Sequence, residues 1–583
     1  MTQTHDKERS KLGPVFYVSI AIAVLFVIWG VFFSESMESF NATAMSAVTG
    51  AFGWVYLLAT TSFIVFLVFL ALSRFGRIRL GKDTDRPEFS TGAWLAMLFS
   101  AGMGIGLVFY GVAEPLTHYA APPPFGASEG ATPEAARLAM QYTFFHWGLH
   151  AWAIYGLVAL SLAYFQFRKG ARGLISSVFY RLLGERVNGP IGKAIDVLAI
   201  FVTALGVATS FGIGATQINS GLNFVFDVPE NIPVQVVIIV VVMILFLVSA
   251  VSGLNRGIRY LSNTNIALFV AIMLFVLVLG PGLFLLNIFT ESIGNYLQNF
   301  LTMSFNSGAF TSEEGEDWLQ SWTIFYWAWW MMWVMWVGTF IARISKGRTI
   351  REFVAGVLLV PCVFSFLWFS VMGGAALDLD LSGAADIGGA VAEDINTALF
   401  VTLGEFPLGT VVSVIAMILI ATFFITSADS AAFVLAMLST DGDQNPPWRV
   451  KVMWGVFVAF FAFVLLLAGG LEAVQQVAII TGVPFTILLI GMGVSLFKAV
   501  SDEVLPERGH VVAPAPDGSP VLRHVAAPES SAEPGPAAEE TPVEGAGASA
   551  AAEPRGATAP APDGRATSHG AASRDSTATP GAD

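Results

Sequence analysis

The sequence predicts an all-α membrane protein that crosses the bilayer many times. Hydrophobic residues make up 55% of the 583 positions and charged residues only 12%, whereas soluble domains contain roughly 45–50% apolar and about 25% charged residues. The apolar residues recur in runs of about 20, the length that a helix needs to cross a bilayer. Basic residues are concentrated in alternate connections between these runs, which is typical of connections that face the cytoplasm.

Apolar runs bounded by charged segments or by Pro and Gly predict twelve membrane spans. The spans lie near residues 15–33, 53–73, 91–111, 144–166, 194–224, 233–252, 264–287, 322–343, 351–371, 410–438, 452–469 and 472–498. Basic residues cluster after every even-numbered span up to the tenth, and Lys7, Arg9 and Lys11 precede the first. This alternation predicts a multi-pass membrane protein with both termini in the cytoplasm.

The last part of the chain, residues 500–583, differs in composition from the spans. It contains 13 acidic and 5 basic residues, a charge of −8 out of −14 for the whole chain, and it is rich in Ala, Pro, Gly, Ser and Glu. With so few apolar side chains to bury, ordering it would cost conformational entropy without compensation. We expect a disordered, acidic cytoplasmic tail.

Several classes of function are disfavoured by what the sequence lacks. Cys362 is the single cysteine, so the chain alone can form neither a disulfide framework nor a Cys-ligated metal site. Nothing resembles the basic, aromatic-studded stripe of a nucleic-acid-binding protein. His146 and His150 have the i, i+4 spacing of a metal-binding pair, with a hydrogen-bonded structural pair as the alternative. We therefore predict no catalytic residues, no resident cofactor and no enzyme activity.

The segment 288–300, IFTESIGNYLQNF, places apolar residues at helical spacing between polar ones. This pattern suits a helix lying in the outer membrane interface. A helix within an ordinary loop is the alternative.

The eighth span carries tryptophan into its middle, although this residue usually collects at membrane interfaces. At about 100° per residue, one face of the helix would hold Trp322, Tyr326, Trp329, Trp333 and Trp336, with Trp330 about 40° further round. Electron-rich rings attract quaternary ammonium groups. The face predicts part of a cation cage, or else aromatic packing between helices.

The fourth span supplies a second aromatic set, consisting of Trp147, Trp152 and Tyr155 in HWGLHAWAIY. On a continuous helix these three rings lie within about 140° of one another. Two aromatic faces turned together would enclose a cation.

Alternating glycines interrupt the third span, where SAGMGIG includes Gly102, Gly104 and Gly106. Each glycine costs a helix about 1 kcal/mol relative to alanine. A broken membrane helix is tolerated where its freed carbonyls line an enclosed cavity, and those carbonyls can bind a cation. Close packing of helices at small residues is the alternative.

The tenth span carries polar groups in FFITSADS, where Thr426, Ser427 and Ser430 provide hydroxyls and Asp429 a carboxylate. An ionisable residue at this depth indicates function. Hydroxyl and carbonyl oxygens suit a small alkali cation, so Thr426 and Ser427 could complete a shell begun by carbonyls near Ala101 and Met103. Hydrogen bonding between helices is the alternative.

Taken together, these segments resemble the betaine/choline/carnitine transporter family. The resemblance covers roughly residues 15–498, and it is carried by four motifs: GMGIG, HWGLHAWAIY, the Trp-rich eighth span running into GTFIARISKGRTIREF, and TSADS. It implies a leucine-transporter-like core with two inverted five-helix repeats, spans 3–7 and 8–12, and a homotrimer. The divisions would be a cytoplasmic N-terminus (1–14), two extra spans (15–90), a first repeat (91–290), an extracytoplasmic connection (291–321), a second repeat (322–499) and the tail (500–583).

The resemblance also implies which residues bind substrate and sodium. A trimethylammonium group would lie among Trp147, Trp152, Tyr155 and Trp330, with Trp329 and Trp333 along the path, and glycine-rich backbone from Met103 through Gly104 to Gly106 would face the carboxylate. One sodium ion would bind the backbone near Ala101 and Met103 and that of Phe423, together with Thr426 and Ser427. The family's second sodium site pairs two threonines, where this chain has Thr203 and Val207.

Two departures from the family pattern bear on the substrate. The family typically has Trp-Ser-Pro-Phe where this chain has Trp333, Val334, Met335 and Trp336, which leaves the identity of the osmolyte open. Proton-coupled choline members carry Asp at the position of Gly106, so glycine there favours a zwitterion. We expect sodium-coupled import of a substrate such as glycine betaine; the alternatives are a carnitine-type exchanger, a proton-coupled choline transporter and an ectoine or proline carrier.

Overall fold

A computed structural model describes residues 12–102, 104–126, 129–252, 255–503, 510–514 and 520–524. The first half of the helical unit consists of α1 (Pro14–Phe32), α2 (Ser34–Leu72), α3 (Thr91–Gly102), α4 (Ile105–Ala120), α5 (Pro133–Trp147), α6 (Leu149–Ala163), α7 (Ile175–Val178), α8 (Tyr180–Leu183), α9 (Pro190–Phe226) and α10 (Ile232–Ser252). The second half consists of α11 (Asn255–Leu279), α12 (Gly282–Ser304), α13 (Glu313–Leu319), α14 (Phe325–Ile344), α15 (Ile350–Leu381), α16 (Ile387–Glu393), α17 (Ala398–Gly404), α18 (Gly409–Ser439), α19 (Trp448–Leu467) and α20 (Leu471–Ser501). Single π-helical turns at Tyr164–Arg168 and Gln320–Ile324 extend α6 and join α13 to α14.

The helices agree with the prediction of a polytopic membrane protein. Among the described residues, ten helical segments are long and apolar enough to cross a membrane. An eleventh is the pair α3 and α4, bent by 65° at its break, and Ile232–Val248 of α10 is a shorter apolar helix. Every predicted span therefore falls on one helix or on two consecutive helices, while the count of twelve crossings and the inverted repeats remain predictions.

Helix α14 lies at the centre of the helical unit and packs against α6, α9 and α20. All its residues from Phe325 to Met335 are buried, as expected for a helix that is apolar on every side. Helix α1 lies at the periphery, and its Leu25 and Phe32 side chains are exposed. Exposed apolar side chains of this kind are suited to contact with lipid.

Three predicted boundaries need correction. The seventh span, predicted at 264–287, ends earlier, because α11 stops at Leu279 and Pro281 caps a new helix. The predicted helix at 288–300 is confirmed but is longer, because it lies within α12, which has 23 residues. The second predicted span, 53–73, is only the later part of α2, which has 39 residues.

The tail contains a small element that its composition did not predict. Strands β1 (His510–Pro514) and β2 (Pro520–His524) pair antiparallel, with His510 opposite His524 and Val512 opposite Leu522. The expectation of a disordered tail is therefore wrong for these two segments. The rest of the tail lies outside the described residues.

Candidate functional site

Two helix interruptions lie next to the same cavity. Helix α4 begins after Gly104, whose backbone is extended. Helices α5 and α6 are separated at Gly148, where an added Cβ would lie 2.5 Å from the Phe144 carbonyl oxygen and 2.9 Å from the Tyr296 hydroxyl. Glycine is required at Gly148 because the backbone and Tyr296 leave no room for a side chain.

The cavity is lined mainly by aromatic rings. Its walls are formed by Gly104, Gly106, Leu107, Trp147, Ala151, Trp152, Tyr155, Trp329, Trp330, Trp333, Val337 and Ser365, six of which are aromatic. The space inside is narrow, about 30 Å³, which is room for about two water molecules.

Three of the indole rings are held by hydrogen bonds to neighbouring helices. Trp147 Nε1 donates to Glu114 Oε2 at 2.7 Å, and Trp330 Nε1 donates to the His146 carbonyl at 3.0 Å. Trp333 Nε1 donates to the Gly206 carbonyl at 3.1 Å. Because each polar edge is engaged in this way, the orientation of each ring is determined by its anchor as well as by packing.

The two cavity glycines are packed differently. A Cβ on Gly106 would lie 2.6 Å from Cη2 of Trp329 and 3.4 Å from Cη2 of Trp147. A Cβ on Gly104 would lie 3.5 Å from the Trp333 ring, which is ordinary van der Waals contact. Of these two glycines only Gly106 is therefore sterically required, and a side chain there would collide with Trp329.

The structure brings together the aromatic residues that the sequence singled out for substrate binding: Trp147, Trp152, Tyr155, Trp329, Trp330 and Trp333 line one cavity with Gly104 and Gly106. Met103, predicted beside them, lies outside the described residues. The helical wheel put Trp330 about 40° beyond the other aromatic residues of this helix, and Trp330 lines the cavity together with Trp329 and Trp333. Trp322 lies in the π turn and packs on His118, 4.4 Å between ring centroids.

A second cavity, of about 150 Å³, shares Val337 with the first and has walls of mixed polar and apolar side chains. It is lined by Ser100 of α3, by Ser262, Asn265 and Ile266 of α11, by Trp336, Val337 and Phe340 of α14, and by Phe423, Thr426, Ser427 and Ser430 of α18. The predicted sodium-binding residues of α18 therefore face a space that α3 also lines.

The donor set of this second cavity is rich in oxygen. Thr426 Oγ1 accepts a hydrogen bond from Asn265 Nδ2 at 3.1 Å. The buried Oδ1 of Asn265 has no hydrogen-bond partner among the described residues. An unpaired buried oxygen is costly unless a ligand satisfies it, and hydroxyl and amide oxygens are ligands for hard cations.

Two other predicted sodium-site positions have different outcomes. Ala101 belongs to α3, but its side chain and Met103 are outside what the structure describes. Thr203 is buried in α9, and its hydroxyl donates to the Ala199 carbonyl at 2.6 Å. It is absent from the described walls of both cavities.

The histidines do not form the i, i+4 pair that their spacing suggested, because Gly148 separates their helices. His146 Nδ1 lies 2.6 Å from Glu114 Oε1, and its Nε2 lies 3.0 Å from Thr323 Oγ1. His150 Nε2 instead lies 3.2 Å from Ser304 Oγ. Each histidine is therefore part of a different hydrogen-bonded network.

Glu114 was missed by the sequence interpretation, which ended the third span at residue 111. It is fully buried in α4, with His118 four residues later. A carboxylate followed by a histidine at i+4 within an apolar helix is the signal that could have identified it. Glu114, His118 and His146 bring three potential ligand atoms within 4.8 Å of one another.

A polytopic helical protein with an aromatic cavity between broken helices has the architecture of a membrane transporter. Residues 14–505 match the model of the betaine/carnitine/choline family of transporters. The chain belongs to this family, and it is a multi-pass membrane transporter and not an enzyme.

Three relatives in this family match the chain over nearly the whole of their own length. The chain is similar to the glycine betaine transporter OpuD of Bacillus subtilis, at 54% identity over 84% of this chain and 95% of the relative. It is 46% identical to a probable glycine betaine transporter of Desulfitobacterium hafniense, over 85% of this chain and 98% of the relative. It is 45% identical to an ectoine/hydroxyectoine transporter of Virgibacillus pantothenticus, over 84% and 96%.

Proposed function

We propose that this protein imports glycine betaine, or a closely related zwitterionic quaternary-ammonium osmolyte, together with sodium. The observation that carries the proposal is the cavity walled by six aromatic rings from α5, α6 and α14. A methylated ammonium group has no N–H to donate, so ring faces are its best buried partners. The similarity to the Bacillus subtilis glycine betaine transporter supports the same substrate.

The carboxylate of the substrate would bind at the start of α4. Gly104 is the N-cap residue of this helix and lines the cavity. It has no side chain that could accept a hydrogen bond from the first N–H groups of the helix. The first N–H groups of a helix are unpaired and attract anions. The buried indole N–H of Trp329 has no acceptor within the described part of the chain, and a bound carboxylate can satisfy it. This anion-binding end favours a zwitterion over choline.

The small volume of the cavity supports a proposal that the rings move during transport. About 30 Å³ is too small for a trimethylammonium group, and the ring centroids of Trp147 and Trp330 are only 4.8 Å apart. We infer that this conformation is contracted and that the rings separate when substrate enters. Alternating access between the repeats formed by spans 3–7 and 8–12 would provide that movement.

Sodium would bind in the second cavity, between α3 and α18. Its ligands would be Thr426, Ser427, the Phe423 carbonyl and the backbone near Ala101 and Met103. The unpaired oxygen of Asn265 supports this assignment, since Asn265 lines the same cavity. An ion that joins α3 to α18 would assemble the substrate cavity beside it. Substrate binding would then depend on sodium binding, and this dependence couples substrate transport to the sodium gradient.

The remaining parts of the proposal follow from sequence and family. Alternating basic connections support cytoplasmic termini in a bacterial inner membrane, and the family supports twelve spans and a homotrimer that needs no resident cofactor.

Uptake of labelled glycine betaine into proteoliposomes tests the proposal. We expect uptake driven by a sodium gradient and not by a proton gradient or by exchange alone. Competition by carnitine, choline, ectoine and proline identifies the preferred substrate. Strong uptake without sodium, or ectoine outcompeting betaine, would replace this proposal with one of the family alternatives.

The cage is tested by replacing Trp330 or Trp333 with Leu. Each lost cation–π contact costs about 1–2 kcal/mol, so betaine affinity should fall about five- to thirtyfold. Trp454→Leu is the matched control, because Trp454 is buried away from the cavity and donates to Ser439. If the two cavity variants bind like the control, the cage is rejected.

The sodium site is tested by the double variant Thr426→Ala and Ser427→Ala. We expect a higher sodium concentration for half-maximal uptake. Thr422→Ala is the control on the same helix, since its hydroxyl is donated to the Ile418 carbonyl at 2.8 Å. A normal sodium response in the double variant removes the site.

A further inference from the structure

Glu114 is a fully buried carboxylate directly behind the aromatic cavity. Its Oε2 accepts hydrogen bonds from Trp147 Nε1 at 2.7 Å and from the Tyr326 hydroxyl at 2.5 Å. Its Oε1 lies 2.6 Å from His146 Nδ1 and 3.5 Å from His118 Nε2. The carboxylate thus joins α4, α5 and α14 at one point.

These partners are suited to an ionised carboxylate. An indole N–H can only donate, so Trp147 fixes Oε2 as an acceptor. The Tyr326 hydroxyl adds a second donor to this oxygen, and His146 can donate to the other. Charge-assisted hydrogen bonds of this length favour the ionised form of an acid.

The charge is connected to the cavity through two rings. Trp147 lines the cavity, and its indole contacts Trp330 edge to face at 4.8 Å between centroids. Tyr326 stacks on Trp330 at 5.6 Å with 25° between the ring planes. Glu114 therefore holds one wall ring directly and supports a second, and its carboxylate is bonded to the indole N–H of a ring that lines the cavity.

We propose that Glu114 is a specificity-determining positioning residue, which orients Trp147 and supplies the counter-charge that makes the cage select cationic head groups over uncharged ones of the same shape. This inference rests on the proposed function, because it assumes that the trimethylammonium group occupies the cage. It assigns a role to a residue that does not touch the substrate.

The experiment compares two competitors of labelled glycine betaine uptake that differ only in charge. One is unlabelled glycine betaine, and the other is 3,3-dimethylbutanoate, in which carbon replaces the quaternary nitrogen. The measured quantity is the ratio of their inhibition constants in wild type and in Glu114→Gln. We expect the ratio to shrink about tenfold in the variant, the effect of one charge at about 10 Å for an effective dielectric constant of about 20.

Matched variants separate this role from a structural one. Asp196→Asn removes another buried carboxylate, which accepts from the Ser176 hydroxyl at 2.7 Å, and it should leave the ratio unchanged. If Glu114→Gln is not recovered folded, Glu114→Asp keeps the charge but withdraws it from the indole, and its ratio should shrink at least twofold.

The outcomes are distinguishable. A Glu114 variant that weakens both competitors equally, and so keeps the wild-type ratio, overturns the inference and leaves the proposed function standing. A wild-type protein that binds the two competitors equally refutes the cage itself.

Discussion

The different packing of Gly104 and Gly106 gives a sharp prediction about the cavity. Both glycines line it, two residues apart, and alanine adds the same methyl group to each. In Gly106→Ala the new carbon would lie 2.6 Å from Trp329 Cη2, about 1 Å inside normal contact distance. In Gly104→Ala the nearest atoms, of Trp333, are at 3.5 Å and need not move.

The surroundings of Trp329 determine the magnitude. Its ring is fully buried, stacked on Phe325 and Trp330 at centroid distances of 5.5 and 4.9 Å, and met edge-on by Trp333 at 5.7 Å. A ring enclosed in this way cannot yield without displacing its neighbours, and overpacking of a buried site costs about 1–3 kcal/mol. If that cost falls on the substrate-bound cavity, betaine affinity drops about five- to 150-fold in Gly106→Ala, and less than twofold in Gly104→Ala.

The assay is glycine betaine binding to the purified protein, followed by tryptophan fluorescence, with uptake into proteoliposomes as the functional measurement. Thermal unfolding of both variants controls for general destabilisation. Equal affinities in the two variants, or a Gly106→Ala protein with wild-type affinity, would show that the contact between Gly106 and Trp329 does not shape the binding site.

Two further predictions concern stability. Burial alone would raise the pKa of Glu503, but hydrogen bonds from Arg168, Lys169 and Tyr164 lower it to about 2. A carboxyl group whose pKa is lowered in the folded state stabilises the fold at pH values above its unfolded pKa of about 4.3. This stabilisation is lost as the pH falls towards 2. Glu503→Gln should therefore lower the free energy of unfolding by about 2 kcal/mol at pH 7, after allowance for solvent screening. In thermal unfolding, the difference in stability between the variant and wild type should shrink below about pH 4.5. A difference that stays constant with pH contradicts the pairing of Glu503 with its basic partners. Gly148→Ala should lower the melting temperature of the detergent-solubilised protein more than Gly50→Ala, because a Cβ on Gly50 meets no atom of the described residues within 4 Å.

The helices were predictable because membrane crossing imposes a length and a composition that single residues cannot override. A run of about 20 apolar residues in a bilayer has to satisfy its backbone internally, and one helix does so. Their ends were less predictable. Helix α2 begins nearly twenty residues before its apolar run, and α11 stops at Leu279 because Pro281 follows. Hydropathy averaged over a stretch of sequence does not show either detail.

The aromatic residues that line the cavity were predictable from the sequence, but their geometry was not. A wheel drawn for one continuous helix put Trp330 about 40° beyond the other aromatic residues, and in the structure it lines the cavity together with Trp329 and Trp333. The π turn Gln320–Ile324 changes the phase of the residues before α14, including Trp322. Glu114 was overlooked for a related reason, because the predicted span ends at residue 111, inside α4 and three residues before Glu114.

The break at Gly148 links these differences to function. In an unbroken helix the His146 carbonyl would accept the N–H four residues later, and His146 and His150 would share a face. Because the helix is interrupted, this carbonyl accepts the indole N–H of Trp330, and the His146 ring is free to meet Glu114. One glycine thereby orients a cavity ring from the backbone and brings an imidazole to the carboxylate behind it. Substitution of Gly148 should therefore change the orientation of Trp330 before it changes which residues line the cavity.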